Sequence, residues 1–205
     1  GFFNKMTKDN QMIYLSIHGI KDGKETFNCG TRYDWYLIQK KQKYKNTDVC
    51  DVKGEIGNFD MDKFNWLPNS NIKLVEKLIN KPYKLDILYN SNYSRINKKI
   101  VSKVETEEFK YPLIYLTPKK GIRKMYSKIN NRGHFGISKV IIGETGMDNA
   151  LLDFEGEYGM TQDRFGIIIS NIEEGKNILK VIKTPEFKKF IKESCSWSNF
   201  RIDYR

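Results

Sequence analysis

The residues best equipped for chemistry in this 205-residue chain are cations and amides gathered in short loops containing glycine. Pro118-Lys119-Lys120-Gly121-Ile122-Arg123-Lys124 sets four cations around a glycine between two apolar segments. Asn130-Asn131-Arg132-Gly133-His134-Phe135-Gly136 joins two amides, a guanidinium and an imidazole on glycine-bearing backbone, with Lys139 close behind. Tyr158-Gly159-Met160-Thr161-Gln162-Asp163-Arg164 is a third polar loop ahead of an Ile-rich run. Asn and Gln can pair bidentately with adenine and Arg with guanine, while Lys supplies phosphate contacts. The loops nominate Lys119, Lys120, Arg123, Lys124, Asn130, Asn131, Arg132, His134, Lys139, Gln162 and Arg164 as DNA contacts. Each loop taken alone also fits a solvated turn.

Charge points the same way. Thirty-six Lys and Arg against 25 acidic residues give a net charge of +11, and neutralising phosphates releases condensed counterions. Between Asn97 and Val140 eleven basic residues face three Glu, which predicts a charged face. A basic protein that binds or packages DNA without sequence preference fits this charge as well. A third chemistry starts from Asp86 and the acid-x-Lys step Glu108-Phe109-Lys110, the residue types with which metal-dependent nucleases hold a metal and a Lys beside the scissile phosphate. Three scattered cysteines (Cys29, Cys50, Cys195) and two distant histidines (His18, His134) support neither a disulfide framework nor a zinc site. An intracellular, reducing compartment is the simplest expectation. No apolar run approaches the roughly 18 residues of a membrane span.

The elements that must position these residues read as a mixture. Hydrophobic residues make up 39% and aromatics 13% of the chain, enough for globular cores. Met12 to Ile17 and Tyr33 to Gln39 have strand composition. The Asp22-Gly23 pair between them predicts a turn, so the two read as the last hairpin of a larger sheet. Residues 47–62 read as a polar ribbon. Ile72, Val75, Leu78 and Ile79 share one face of a helix beginning after Leu67-Pro68-Asn69-Ser70. Further on, Tyr111–Thr117, Arg123–Tyr126, Val140–Ile142, Leu151–Phe154 and Phe165–Ser170 read as strands. Glu173–Ile182 and Pro185–Glu193 read as helices, the second with proline at a favoured first-turn position. The expected architecture is mixed α/β in two units, 1–66 and 67–205, with the boundary inside residues 45–95. Trp197 and Phe200 are expected to fill a core. A start without Met and an end inside an aromatic-basic pattern predict a piece of a longer protein.

Lys24 to Gln39, with Phe27-Asn28-Cys29-Gly30 ahead of Tyr33-Asp34-Trp35-Tyr36, resembles the late catalytic-domain motif of N6-adenine DNA methyltransferases of restriction–modification type. The resemblance implies that Phe27 stacks on the flipped target adenine, since an extruded base needs an apolar surface in place of its lost stacking. His134 to Lys139, Glu157 to Gln162 and Trp197 to Asp203 resemble the target recognition domain that follows in these enzymes, and imply a double-stranded DNA partner. The family's glycine loop for S-adenosylmethionine is absent, and so is its Asn/Asp-Pro-Pro-Tyr/Phe tetrapeptide. Pro68, Pro82, Pro112, Pro118 and Pro185 never occur in tandem. The resemblance therefore implies that a preceding catalytic segment or a separate subunit binds the donor, and that this chain does not methylate alone.

Overall fold

The computed structural model describes residues 2–64, 66–89, 93, 97–117, 121–144 and 146–195. The chain is mixed α/β and divides into two compact units, one of Gly1–Pro82 with Phe190–Phe200, the other built on Tyr83–Lys189.

In the first unit, α1 (Phe2–Asp9) leads into β1 (Gln11–His18), α2 (Ile20–Phe27) and β2 (Tyr33–Gln39). β3 (Thr47–Cys50), β4 (Ile56–Phe59), a 3-10 turn at Met61–Lys63 and α3 (Ile72–Ile79) follow. The four strands form one sheet in the order β2-β1-β3-β4. β1 pairs antiparallel with β2 and parallel with β3, so it lies inside the sheet. The expected tight hairpin is not formed, because α2 occupies the connection. Gly23 reads as a turn residue, yet it sits in the helix, where a Cβ would collide with the Thr31 carbonyl. Its missing side chain serves close approach rather than chain reversal. The expected ribbon at 47–62 is instead the β3–β4 hairpin, closed by Gly54 at φ +78° and by Asp51, which accepts from the Lys53 and Glu55 N–H groups.

Alternation divides this sheet into two faces. Leu15, Ile17, Val49 and Phe59 join Met61, Phe64, Ile72 and Val75 in a buried core on one side. A bulge between Met12 and Tyr14 brings Met12 onto that side too. α3 supplies Ile72 and Val75 to this core with Ile79 packed against it, whereas Leu78, expected on the same face, is exposed. The segment leading into α3 is tied to the end of α5 (Pro185–Ser194) by Asn69 N–H donating to Ser194 O at 2.9 Å and Ser70 Oγ to Glu193 O at 3.1 Å.

The second unit holds two four-stranded sheets. One has the order β10-β9-β12-β5, from Gly146–Asp153, Lys139–Gly143, Arg164–Ile168 and Ile87–Leu88. The other has the order β11-β7-β8-β6, from Gly159–Met160, Tyr111–Leu116, Arg123–Ser127 and Val101–Ser102. Ile114 of β7, Ile141 of β9 and Met160 of β11 meet in a core shared by both sheets. α4 (Ile172–Ile182) covers β9 and β10, with the Asn171 side chain accepting from the Glu174 N–H at 2.9 Å as its cap. Among the described residues no helix is long and apolar enough to cross a membrane.

Candidate nucleic-acid interface

The second unit gathers three polar loops around one buried tyrosine. Tyr93 is fully buried, and its hydroxyl donates to Ile129 O at 2.5 Å while Ser127 Oγ donates to it at 3.2 Å. Ser127 Oγ in turn accepts from the Ile129 N–H, so both backbone polar groups of Ile129, at the exit of β8, are fixed. Burial pushes the Tyr93 phenol above its ordinary value, opposed by the Ser127 bond and the charge of Arg132. The loop then runs over the ring. Gly133 adopts φ +76°, and a Cβ there would lie 2.6 Å from the Tyr93 ring. Gly133 O accepts from Met160 N, Tyr93 O accepts from Gln162 N, and Gly136 N donates to Gly156 O. These bonds lock the 129–136, 154–158 and 160–163 segments together. Asn130, Asn131, Arg132 and Gln162 remain exposed on that frame. His134, at φ +60°, is half-buried, and its Nε2 donates to Tyr89 O at 3.0 Å, so its polar edge is engaged with backbone.

A second cationic feature stands on β8. Arg123 and Lys124 are exposed, and Lys124 Nζ lies over the Tyr158 ring at 4.6 Å and donates to its hydroxyl at 3.1 Å. Tyr158 is placed from below. Asp153 accepts from the Glu157 and Tyr158 N–H groups at 2.9 and 3.1 Å and from Lys139 Nζ at 2.7 Å.

Two expected DNA contacts are thereby corrected. Lys139 is wholly buried, bonded to Asp153 and Ile137 O, and burial pulls its ammonium below the ordinary lysine value against the pull of Asp153. Every residue of its strand, flanked on both sides, is buried. Arg164 is 2% exposed and spends Nε and Nη2 on Tyr115 O, at 3.1 and 2.7 Å, with Nη1 on Asp163 O. It ties β12 of one sheet to β7 of the other. Both are internal connectors, not DNA contacts. Lys119 and Lys120 lie outside the described residues, as do Trp197 and Phe200.

Phe27 ends α2 in the first unit. Its ring is 57% exposed and meets Tyr33 edge-on at 4.9 Å, ahead of the edge strand β2. Two of the three candidate nuclease residues have partners of their own. Glu108 pairs with Lys128 at 3.3 Å, and Lys110 lies over the Tyr111 ring. Among the described residues no cluster of three or more His, Cys, Asp or Glu is suited to a metal.

β1 runs through Gly19 into α2, where the Asp22 carboxylate accepts from the Gly19 N–H at 3.2 Å, and its negative charge disfavours an anionic group at that helix N-terminus. Tyr93 and Ser127 had no motif to announce them, and Tyr158 opened the third polar loop without being nominated, since their roles arise from segments distant in sequence. Comparison with family models, curated proteins and solved structures found no match.

Proposed function

We propose that this chain is the target-recognition portion of an N6-adenine DNA methyltransferase, reading double-stranded DNA with the loop anchored on Tyr93. The observation that carries this reading is the exposure of Asn130, Asn131, Arg132 and Gln162 on backbone locked by Tyr93, Gly133 and Met160. Base readout needs amides and a guanidinium held at fixed positions, and rigid support lowers the entropy lost on binding. Arg123 and Lys124 would contact phosphates. In the complete enzyme the sheet of the first unit would adjoin the catalytic sheet, Phe27 would stack on the extruded adenine, and S-adenosylmethionine would be bound by the part that carries the donor loop. The isolated chain binds without methylating.

The test is a binding-site selection on randomised duplexes, repeated with Arg132→Ala. The variant should lose preference at one base pair, at a cost of about 1–3 kcal/mol on the selected site. Equal weakening on every sequence would make Arg132 a phosphate contact and the chain a non-specific DNA binder. Divalent-metal-dependent cleavage abolished by Glu108→Ala would favour the nuclease reading instead.

A further inference from the structure

We propose that the face of the first unit's sheet turned away from its core carries a stacking platform for unpaired nucleobases, centred on Trp35, beyond the end where Thr26 and Phe27 of α2 meet Tyr33. The pairing register sets its composition. Tyr14 lies opposite Leu37, Ser16 opposite Trp35, and His18 opposite Tyr33, so these residues share the face turned away from the Leu15–Ile17 core. Trp35 is 50% exposed and Leu37 54%, an uncommon exposure for apolar residues standing side by side on a strand.

The rings are held before anything binds. Trp35 rests on Tyr14 with centroids 5.1 Å apart and a 34° tilt. Tyr33 stacks on His18 at 4.4 Å and 6°. The His18 ring is fixed in turn by Ser16 Oγ at 2.9 Å from Nε2 and by Asp22 at 3.5 Å from Nδ1. Aromatic surface fixed in this way accepts a flat ligand with little loss of side-chain freedom. Tyr33 is engaged by His18 face to face and by Phe27 edge-on, so Trp35, half exposed, is the ring left to receive a base.

Charge selects the occupant. Arg32 precedes β2, half-buried, and its buried Nε and Nη1 have no hydrogen-bond partner among the described residues. Lys40, Lys41 and Lys45 follow β2 and are exposed. Cations therefore stand at both ends of the ring-bearing strand, the combination that binds single strands through backbone charge and base stacking. A second copy of the chain would bring the same cations against these and be repelled. The platform belongs to the unit without the Tyr93-anchored loop and does not depend on it.

The test is fluorescence anisotropy of the full chain with labelled oligothymidylate, oligouridylate and a blunt duplex. Oligothymidylate should bind, and Trp35→Leu should weaken that binding about tenfold. Trp35→Phe, which keeps a ring, should retain most of it, and Lys40→Glu with Lys41→Glu should weaken it without touching the rings. Arg132→Ala should leave it unchanged while altering duplex preference, which separates this platform from the recognition loop. Preference for oligouridylate over oligothymidylate would assign the strand as RNA within the same proposal. Equal binding by wild type and Trp35→Leu would overturn the platform. So would a self-association of the wild type that Trp35→Leu abolishes in sedimentation, since the face would then be covered by a second copy.

Discussion

Lys139 shows how much a single residue's surroundings decide. Its ammonium, removed from water, is neutralised by Asp153 and bonded to Ile137 O. Deleting one partner of such a pair leaves an uncompensated buried charge, whereas replacing both by apolar groups is often tolerated. Lys139→Met should therefore cost about 3–5 kcal/mol in urea denaturation, with no loss of DNA affinity in the folded fraction. A stable variant with weakened DNA binding would return Lys139 to the interface. Phe27 presents the opposite case, an apolar ring left half in solvent. On the proposed function, Phe27→Ala in the full methyltransferase should slow methylation more than it weakens duplex binding, and full activity in single-turnover assays would remove it from the adenine pocket.

At the level of elements, the recognition loop depends on what β8 and β11 do to it. Tyr93 links the β8 exit to the loop, and Gly133 lets the chain pass over its ring in a left-handed conformation. Tyr93→Phe removes the hydroxyl and leaves Ile129 O and Ser127 Oγ short of a partner, a loss of about 1–3 kcal/mol. Hydrogen exchange should then rise at residues 129–134, and discrimination between duplex sequences should fall while salt-dependent affinity persists. Unaltered exchange would mean that Met160 and Gly156 suffice to hold the loop. α3 lies where its 3.6-residue period placed it, β9 and β12 where short apolar runs did, and β7, β8, α4 and α5 also lie where the sequence reads them. α1 and α2 were not read, and in α2 the local preference of Asp22-Gly23 for a turn yields to packing against Thr31.

On the scale of the whole molecule, the excess of cations makes internal neutralisation uneven, and acid stability depends on the few carboxylates that are well paired. Hydrogen bonding from Lys43 holds the Asp60 carboxyl below its usual range, and Lys43 also reaches Asp62 at 2.9 Å. A carboxylate lowered in the folded state contributes stability that is complete above its unfolded value of about 3.9 and is lost as pH falls through the lower folded value. The pair is partly open to water, with side chains 26% and 31% exposed, so the contribution is screened and modest. Asp60→Asn should lower stability near neutrality and flatten its decline in acid, read as unfolding midpoints across pH 2 to 6, a window set about the ordinary carboxylate range. Parallel acid limbs for variant and wild type would show that Lys43–Asp60 contributes nothing.

The sequence by itself determined the mixed α/β composition, the basic balance and the polar loops that carry Asn130, Asn131, Arg132 and Gln162, because hydrophobic period and residue chemistry are local properties. Which cations reach solvent was decided by tertiary structure alone. Lys124 and Lys139 both stand in strands with apolar neighbours, but β8 leaves Lys124 exposed while flanking strands and Asp153 enclose Lys139. Arg164 likewise looks like a loop cation until the Tyr115 carbonyl, 49 residues away in sequence, accepts its guanidinium. Burial of a charge is set by partners that the chain brings near only on folding, and no local pattern records them.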